Sequence, residues 1–193
     1  MSTGIGGDVF SLLYLNDNSE VIALNGSGRS GSKVNYDYFI ENNLDQIPFE
    51  GPNSGLSVSV PGAVDAWEEL SKNYGNFSLD TLLMPAIDLA NNGFSVSEVI
   101  ADYWKKSEKK LLINDNCDFL INNKSPKFGD VFKNKNLGKI LKGIADNGKT
   151  FFYQGDTPKY IISYLNNFNG VLTEEDFYNH RSEWVEPISI NYK

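Results

Sequence analysis

Two short apolar runs, Val9-Phe10-Ser11-Leu12-Leu13-Tyr14-Leu15 and Glu20-Val21-Ile22-Ala23-Leu24, are separated only by the polar stretch Asn16-Asp17-Asn18-Ser19. Aromatic and β-branched side chains on either side of such a turn predict a β-hairpin. Glycines crowd both outer ends, at Gly4, Gly6 and Gly7 before the hairpin and at Gly26, Gly28 and Gly31 after it. Pairing the strands brings the two clusters to one edge of the sheet. Backbone there can take positive φ or approach a ligand or another segment where a Cβ would clash. Arg29 is then expected beside Gly6-Gly7, on a floor suited to an anionic group.

With 193 residues and 40% hydrophobic side chains, the chain can bury a real core. A formal charge of -8 argues against nucleic acid or an anionic membrane surface as partner, because both require clustered Lys and Arg. Lys105-Lys106 and Lys109-Lys110 fit one solvated helix face. The single cysteine, Cys117, allows no internal disulfide and no Cys-based metal cage, which fits a reducing, cytoplasmic setting for the chain as given. No apolar run approaches the length of a membrane span. The first residues lack the pattern of a signal peptide, although an export signal encoded upstream stays open.

After the hairpin, Ser32 to Glu41 is expected to form a helix capped by Ser32, and Asn42 to Gly55 a loop. Leu56-Ser57-Val58-Ser59-Val60 alternates and predicts a third strand. Pro61 then opens a helix with Val64, Trp67 and Leu70 inward, ended by Gly75 as a left-handed cap. Leu79 to Asn91 predicts a helix with a kink or late start at Pro85, closed by Asn92-Gly93. Ser95-Val96-Ser97-Glu98 reads as a capping box for Val99 to Leu112. Leu137, Ile140, Leu141 and Ile144 place an amphipathic helix that stops at Asn147-Gly148. Thr157-Pro158 opens Lys159 to Asn167, and Thr173-Glu174-Glu175-Asp176 opens a last short helix. Ile188-Ser189-Ile190-Asn191-Tyr192 alternates like the start of a strand, in the middle of which the chain stops.

Strands followed by an uninterrupted helical region predict an α+β chain, antiparallel strands in residues 1–60 and helices in residues 61–187. Gly4-Ile5-Gly6-Gly7-Asp8-Val9-Phe10, Ala23-Leu24-Asn25-Gly26-Ser27-Gly28-Arg29, Leu56-Ser57-Val58-Ser59-Val60-Pro61-Gly62, Tyr74-Gly75, Pro85-Ala86-Ile87-Asp88-Leu89-Ala90-Asn91-Asn92-Gly93-Phe94, Phe152-Tyr153-Gln154-Gly155, Gly170-Val171-Leu172-Thr173-Glu174-Glu175-Asp176-Phe177 and Trp184-Val185-Glu186-Pro187 follow one another in this order. Together they resemble the large-subunit part of the γ-glutamyltransferase family. Gly7-Asp8 before the first strand is most similar to its γ-glutamyltransferase-like hydrolases and acylases.

The resemblance implies a fragment, residues 1–193, of an N-terminal-nucleophile hydrolase. Such an enzyme is an αββα sandwich made as a precursor that cleaves itself to free a threonine at the start of a small subunit. That threonine hydroxyl attacks a γ-glutamyl amide such as glutathione, with its own α-amine as base and backbone N–H groups at the oxyanion. Water or an amino acid then releases the acyl group. The implied partners are the small catalytic subunit or C-terminal half and a γ-glutamyl small molecule. No catalytic residue, metal ligand or cofactor site is expected within the chain itself. A sheet lacking its partner layer is expected to expose apolar surface and a free strand edge.

In the transferases an arginine shortly after the second strand pairs with the substrate α-carboxylate, and a gap-free alignment places that role on Ser27. Arg29 lies two residues later. Either a rebuilt loop brings Arg29 to the same carboxylate, or the subgroup does not hold a glutamate in that way and Arg29 braces the turn. Ser27 and Arg29 are therefore the candidate substrate-binding residues.

Other conspicuous side chains have structural readings. His180 is the only histidine and is expected at the surface or as a helix cap, and Cys117 as a small packed side chain. Trp67, Trp104 and Trp184 are expected in the core on helical stripes. Gly4-Ile5-Gly6-Gly7 precedes a strand and is not a dinucleotide fingerprint. The alternatives to a γ-glutamyl enzyme fragment are a non-catalytic product of a split or decayed gene, an acylase of the same family acting on a different acyl amide, and exposure of Ser2 as an N-terminal nucleophile, which the family register disfavours.

Overall fold

A computed structural model describes residues 4–113 and 117–192. Ser2 lies outside the described residues. The expected α+β class, helices with antiparallel strands, is the observed one, and the chain forms two compact units, residues 1–78 with 147–193 and residues 79–146.

In the first unit, β1 (Val9–Leu15) and β2 (Glu20–Gly26) form the expected hairpin, paired from Val9 against Gly26 to Leu15 against Glu20. The third strand of the sheet is a correction. It is β5 (Glu183–Val185), antiparallel to β2 with Ala23 opposite Val185 and Asn25 opposite Glu183. Leu56–Val60 forms no ladder; Ser54–Ser57 is a 3-10 turn, and the segment then extends to meet Arg29, whose carbonyl accepts from the Val60 N–H at 2.9 Å. Leu56 and Val60 are buried whereas Ser57 and Val58 are exposed, so the segment does not alternate in burial as its sequence does. The Ile188–Tyr192 stretch likewise forms no strand, and Ile188, Ile190 and Tyr192 are exposed.

The first helix is shorter than expected. Ser32 gives its N–H to Asp176 Oδ1 at 2.9 Å, and α1 (Tyr36–Glu41) is capped by Asn35, whose Oδ1 accepts from the Tyr38 N–H. α2 (Ala63–Tyr74) begins two residues after Pro61, with the Gly7 carbonyl accepting the N–H groups of Gly62 and Ala63 at 3.0 and 2.9 Å. Those are donors that a helix start leaves unpaired. Gly75 is extended at φ -79°, not left-handed; a Cβ there would lie 2.5 Å from the Ser71 carbonyl oxygen, so the glycine provides room.

In the second unit, α3 (Leu79–Asn92) runs through Pro85 to Gly93, whose φ of +92° favours glycine. β3 (Phe94–Ser95) pairs with β4 (Val131–Phe132). α4 (Glu98–Leu111) follows Ser97, which makes no side-chain cap, so the expected capping box is absent. Trp104 packs edge-on against Phe132 at 4.6 Å, its ring half-buried. α5 (Lys135–Asn147) buries Leu141 and Ile144 as its spacing predicts.

Back in the first unit come α6 (Lys149–Tyr153), α7 (Asp156–Asn166) and α8 (Glu174–Asn179). α7 starts after Gly155 rather than at Thr157-Pro158. α8 carries the Thr173 and Asp176 capping box, each side chain taking the other's backbone N–H. β1 is an edge strand, and Phe10, Leu12 and Tyr14 on one of its faces are 73%, 70% and 61% exposed, as expected of a sheet without a second layer.

Where the hairpin leaves the sheet, backbones pass without space for side chains. A Cβ on Gly28 would lie 1.6 Å from the Val60 carbonyl oxygen, and one on Gly62 2.1 Å from that of Gly26, whereas one on Gly6 meets nothing within 4 Å. Gly28→Ala should therefore destabilise at or beyond the upper end of ordinary overpacking, about 3 kcal/mol, while Gly6→Ala stays near neutral. Urea midpoints of the two variants check this, and equal midpoints would contradict it.

Candidate functional site

The junction after β2 places both candidate residues. Gly28 gives its N–H to Asp8 Oδ1 at 2.7 Å, and the Ser27 N–H goes to Asn25 Oδ1 at 3.0 Å, so the loop from Asn25 to Arg29 is tied at both ends. Asn25, Ser27, Gly28, Arg29, Ser30, Arg181 and Glu183 line an open pocket of about 330 Å³. Ser27 is half-buried at its wall and Arg29 is exposed.

The expected anionic floor at Gly6-Gly7 is not built. The Gly7 N–H donates to the Gly4 carbonyl at 3.0 Å, and the Gly7 carbonyl is taken by α2. Arg29 turns instead to β5, where its Nη2 donates to Glu183 Oε1. Arg181 turns to backbone, its Nη1 donating to the carbonyls of Tyr178 and His180. The pocket thus holds one guanidinium engaged by a carboxylate and one engaged by backbone.

Behind the pocket lies a buried polar cluster. Asp65, 1% exposed, receives the Ser182 N–H on Oδ2 at 2.6 Å and Lys149 Nζ on Oδ1 at 2.7 Å. Burial works against the Asp65 charge, but Lys149 and the Ser182 N–H outweigh it and hold the carboxyl below the ordinary carboxylate range. The same pairing, extended by Glu69 at 3.3 Å, holds Lys149 above the ordinary lysine range against its own burial. Tyr153 donates its hydroxyl to the Pro61 carbonyl at 2.6 Å and accepts the Asp65 N–H at 3.1 Å, and burial pushes its phenol upward. None of these residues was singled out for function in the sequence, where Val64-Asp65-Ala66 gives no sign that an acid lies inside.

His180 is at the end of α8 as a cap residue but is not at the surface, being 2% exposed. Its ring lies 5.3 Å from that of Tyr153, and neither nitrogen has a hydrogen bond of normal geometry; the Gly62 backbone approach falls short of one. Trp184 is on a strand rather than a helical stripe and is exposed rather than in the core, edge-on to Tyr74 at 5.2 Å. Cys117 is half-buried. Among the described residues no group of His, Cys, Asp and Glu is placed to hold a metal ion, and no helix is long and apolar enough to cross a membrane.

Burial pushes the His180 imidazole below the usual histidine range; the Asp65 charge opposes this, and Arg29 and Arg181 add to it. An unfolded histidine takes up its proton near pH ~6.5, before the buried one does. In that window the unfolded state binds more protons, so stability falls as pH drops below about 6.5. Asp65 and Asp176, both depressed, lose their contribution only lower, below about pH 4. Melting temperatures from pH 7.5 to 5 should therefore decline, and His180→Phe should flatten that decline. An unchanged slope in the variant would contradict the buried neutral imidazole.

Comparison with known proteins places this arrangement. The family model described as gamma-glutamyltranspeptidase matches residues 1–193. The chain is 38% identical to a glutathione hydrolase-like YwrD proenzyme of Bacillus subtilis, covering 99% of this chain and 36% of that protein. A glutathione hydrolase proenzyme of the same organism is 31% identical, over 100% of this chain and 33% of its own length. The chain thus spans about a third of the length of these relatives. Among solved structures, the gamma-glutamyltranspeptidase of Helicobacter pylori superposes on the whole chain with a TM-score of 0.89 at 29% identity, and 56% of that chain is covered. A cephalosporin acylase of Bacillus halodurans superposes on 98% of it with a TM-score of 0.87 at 33% identity, covering 36% of that structure. Matched from end to end by the family model, the chain belongs to the gamma-glutamyltranspeptidase family.

Proposed function

We propose that this chain is the large-subunit part of an enzyme that hydrolyses or transfers the γ-glutamyl group of glutathione and related amides, and that Arg29 and Ser27 form its subsite for the α-carboxylate of the donor. The observation that carries this reading is the placement of Arg29 and Ser27 in one polar pocket at the end of β2, directly behind the glycine junction. A guanidinium there presents the planar fork that a carboxylate accepts in two parallel hydrogen bonds. The Ser27 hydroxyl, on the same wall, adds a donor that can turn toward the same oxygens.

The nucleophile is assigned to the remainder of the enzyme, the small catalytic subunit. That segment is also the proposed cover for the apolar face of β1, where Phe10, Leu12 and Tyr14 stand exposed beside an unpaired strand edge. A second reading, an acylase of the same family acting on a different acyl amide, is favoured by one observation: Arg29 already has a carboxylate partner in Glu183.

Catalysis by an activated nucleophile and an oxyanion site is worth several orders of magnitude in rate. The purified 193-residue chain should therefore not hydrolyse a γ-glutamyl anilide above background. Supplying the remaining segments of the enzyme should restore that activity. In the complete enzyme Arg29→Ala should lower kcat/KM for γ-glutamyl substrates about ten- to hundredfold, the worth of a hydrogen bond to a charged group. Turnover by the chain alone, or an Arg29→Ala enzyme equal to the parent, would contradict the assignment.

A further inference from the structure

Arg29 faces the pocket with its guanidinium already shared. Glu183, its partner, comes from a strand 154 residues away in sequence, and that strand is fixed twice. Glu183 pairs with Asn25 in the β2–β5 ladder, and the preceding Ser182 N–H is held by the buried Asp65 carboxylate at 2.6 Å. The carboxylate is thus delivered to Arg29 by rigid backbone. The two side chains remain open to water, 67% and 53% exposed, and an exposed ion pair of this kind is held only weakly. It can be displaced without unfolding anything.

We propose that Glu183 is the specificity-determining residue of this pocket: it occupies the Arg29 guanidinium, so that an acyl donor with a free α-carboxylate must displace it, whereas a donor without that carboxylate enters unopposed. The proposal rests on the reading of Arg29 as the residue that faces the donor. Two carboxylates cannot share one guanidinium fork without mutual repulsion, and the repulsion acts on the incoming anion because Glu183 is already in place. Arg181 lines the same pocket, but its Nη1 is directed to the Tyr178 and His180 carbonyls. Glu183 therefore reduces the advantage that Arg29 gives to γ-glutamyl donors over acyl groups that are neutral at that position. In this respect Glu183 is to selectivity what Arg29 is to binding.

The test compares two chromogenic anilides in the complete enzyme, γ-glutamyl and 4-aminobutyryl, which differ only by the α-carboxylate. Glu183→Gln removes the competing charge at nearly constant size, and Glu183→Ala removes the side chain. Both should raise the γ-glutamyl over 4-aminobutyryl ratio of kcat/KM about five- to tenfold, through KM rather than kcat. Adding Arg29→Ala to Glu183→Gln should abolish the gain. An unchanged or lowered ratio in both Glu183 variants, with Arg29→Ala still lowering it, would overturn the competition while leaving Arg29 as a donor contact. A ratio insensitive to Arg29 and Glu183 alike, or a parent enzyme that turns over neither anilide, would overturn the placement of Arg29 and the competition with it.

Discussion

The carboxylate of Asp65 is the interaction on which the rest of the first unit depends. A charge 1% exposed survives burial only when it is paired and hydrogen-bonded, and Asp65 receives a lysine from α6 and a backbone N–H from the approach to β5. The three segments it joins, α2, α6 and the stretch before β5, are far apart in sequence. Through Ser182 the same carboxylate fixes the start of β5, and through β5 it fixes where Glu183 meets Arg29. A buried ion pair of this sort contributes little net stability compared with an apolar substitute, but separating its partners strands a buried charge, which favours the one arrangement that keeps them together. Here the arrangement favoured is that of the pocket.

Close backbone packing does the corresponding work on the other side of the pocket. Gly26, Gly28 and Gly62 let β2, the segment around Val60 and the start of α2 lie against one another at distances that exclude a Cβ. The Gly7 carbonyl then serves as the cap of α2, and Asp8 holds the loop that carries Arg29. The Gly-Gly-Asp run is therefore a structural clasp, not an anion floor. It leaves the guanidinium of Arg29 free to turn toward β5.

Much of this could be read in the sequence because it is local. The hairpin follows from Asn16-Asp17-Asn18-Ser19 between two β-rich runs, the helix at Leu137 to Ile144 from its spacing, and the last helix from its acidic first turn. The third strand could not be read, because Glu183-Trp184-Val185 is three residues long and gains its ladder only from β2, on the far side of the chain. Leu56 to Val60 misled for the converse reason: it alternates, yet no neighbouring strand offers it a ladder and Pro61 ends it. Asp65 and His180 are polar types that are exposed by default, and their burial is a property of what α6 and β5 bring to them. Ser27 and Arg29 could be nominated because the resemblance to the transferases puts a carboxylate-binding arginine at this point of the chain, but the carboxylate that engages Arg29 could not.

The proposed role of this pocket depends on whether a substrate carboxylate takes the place of Glu183 on Arg29. A crystal structure of the complete enzyme with bound L-glutamate measures that directly. The predicted result is an α-carboxylate within about 3 Å of the Arg29 guanidinium, with the Glu183 side chain turned away from it. Glutamate bound elsewhere, with Arg29 and Glu183 still paired as they are here, would contradict it.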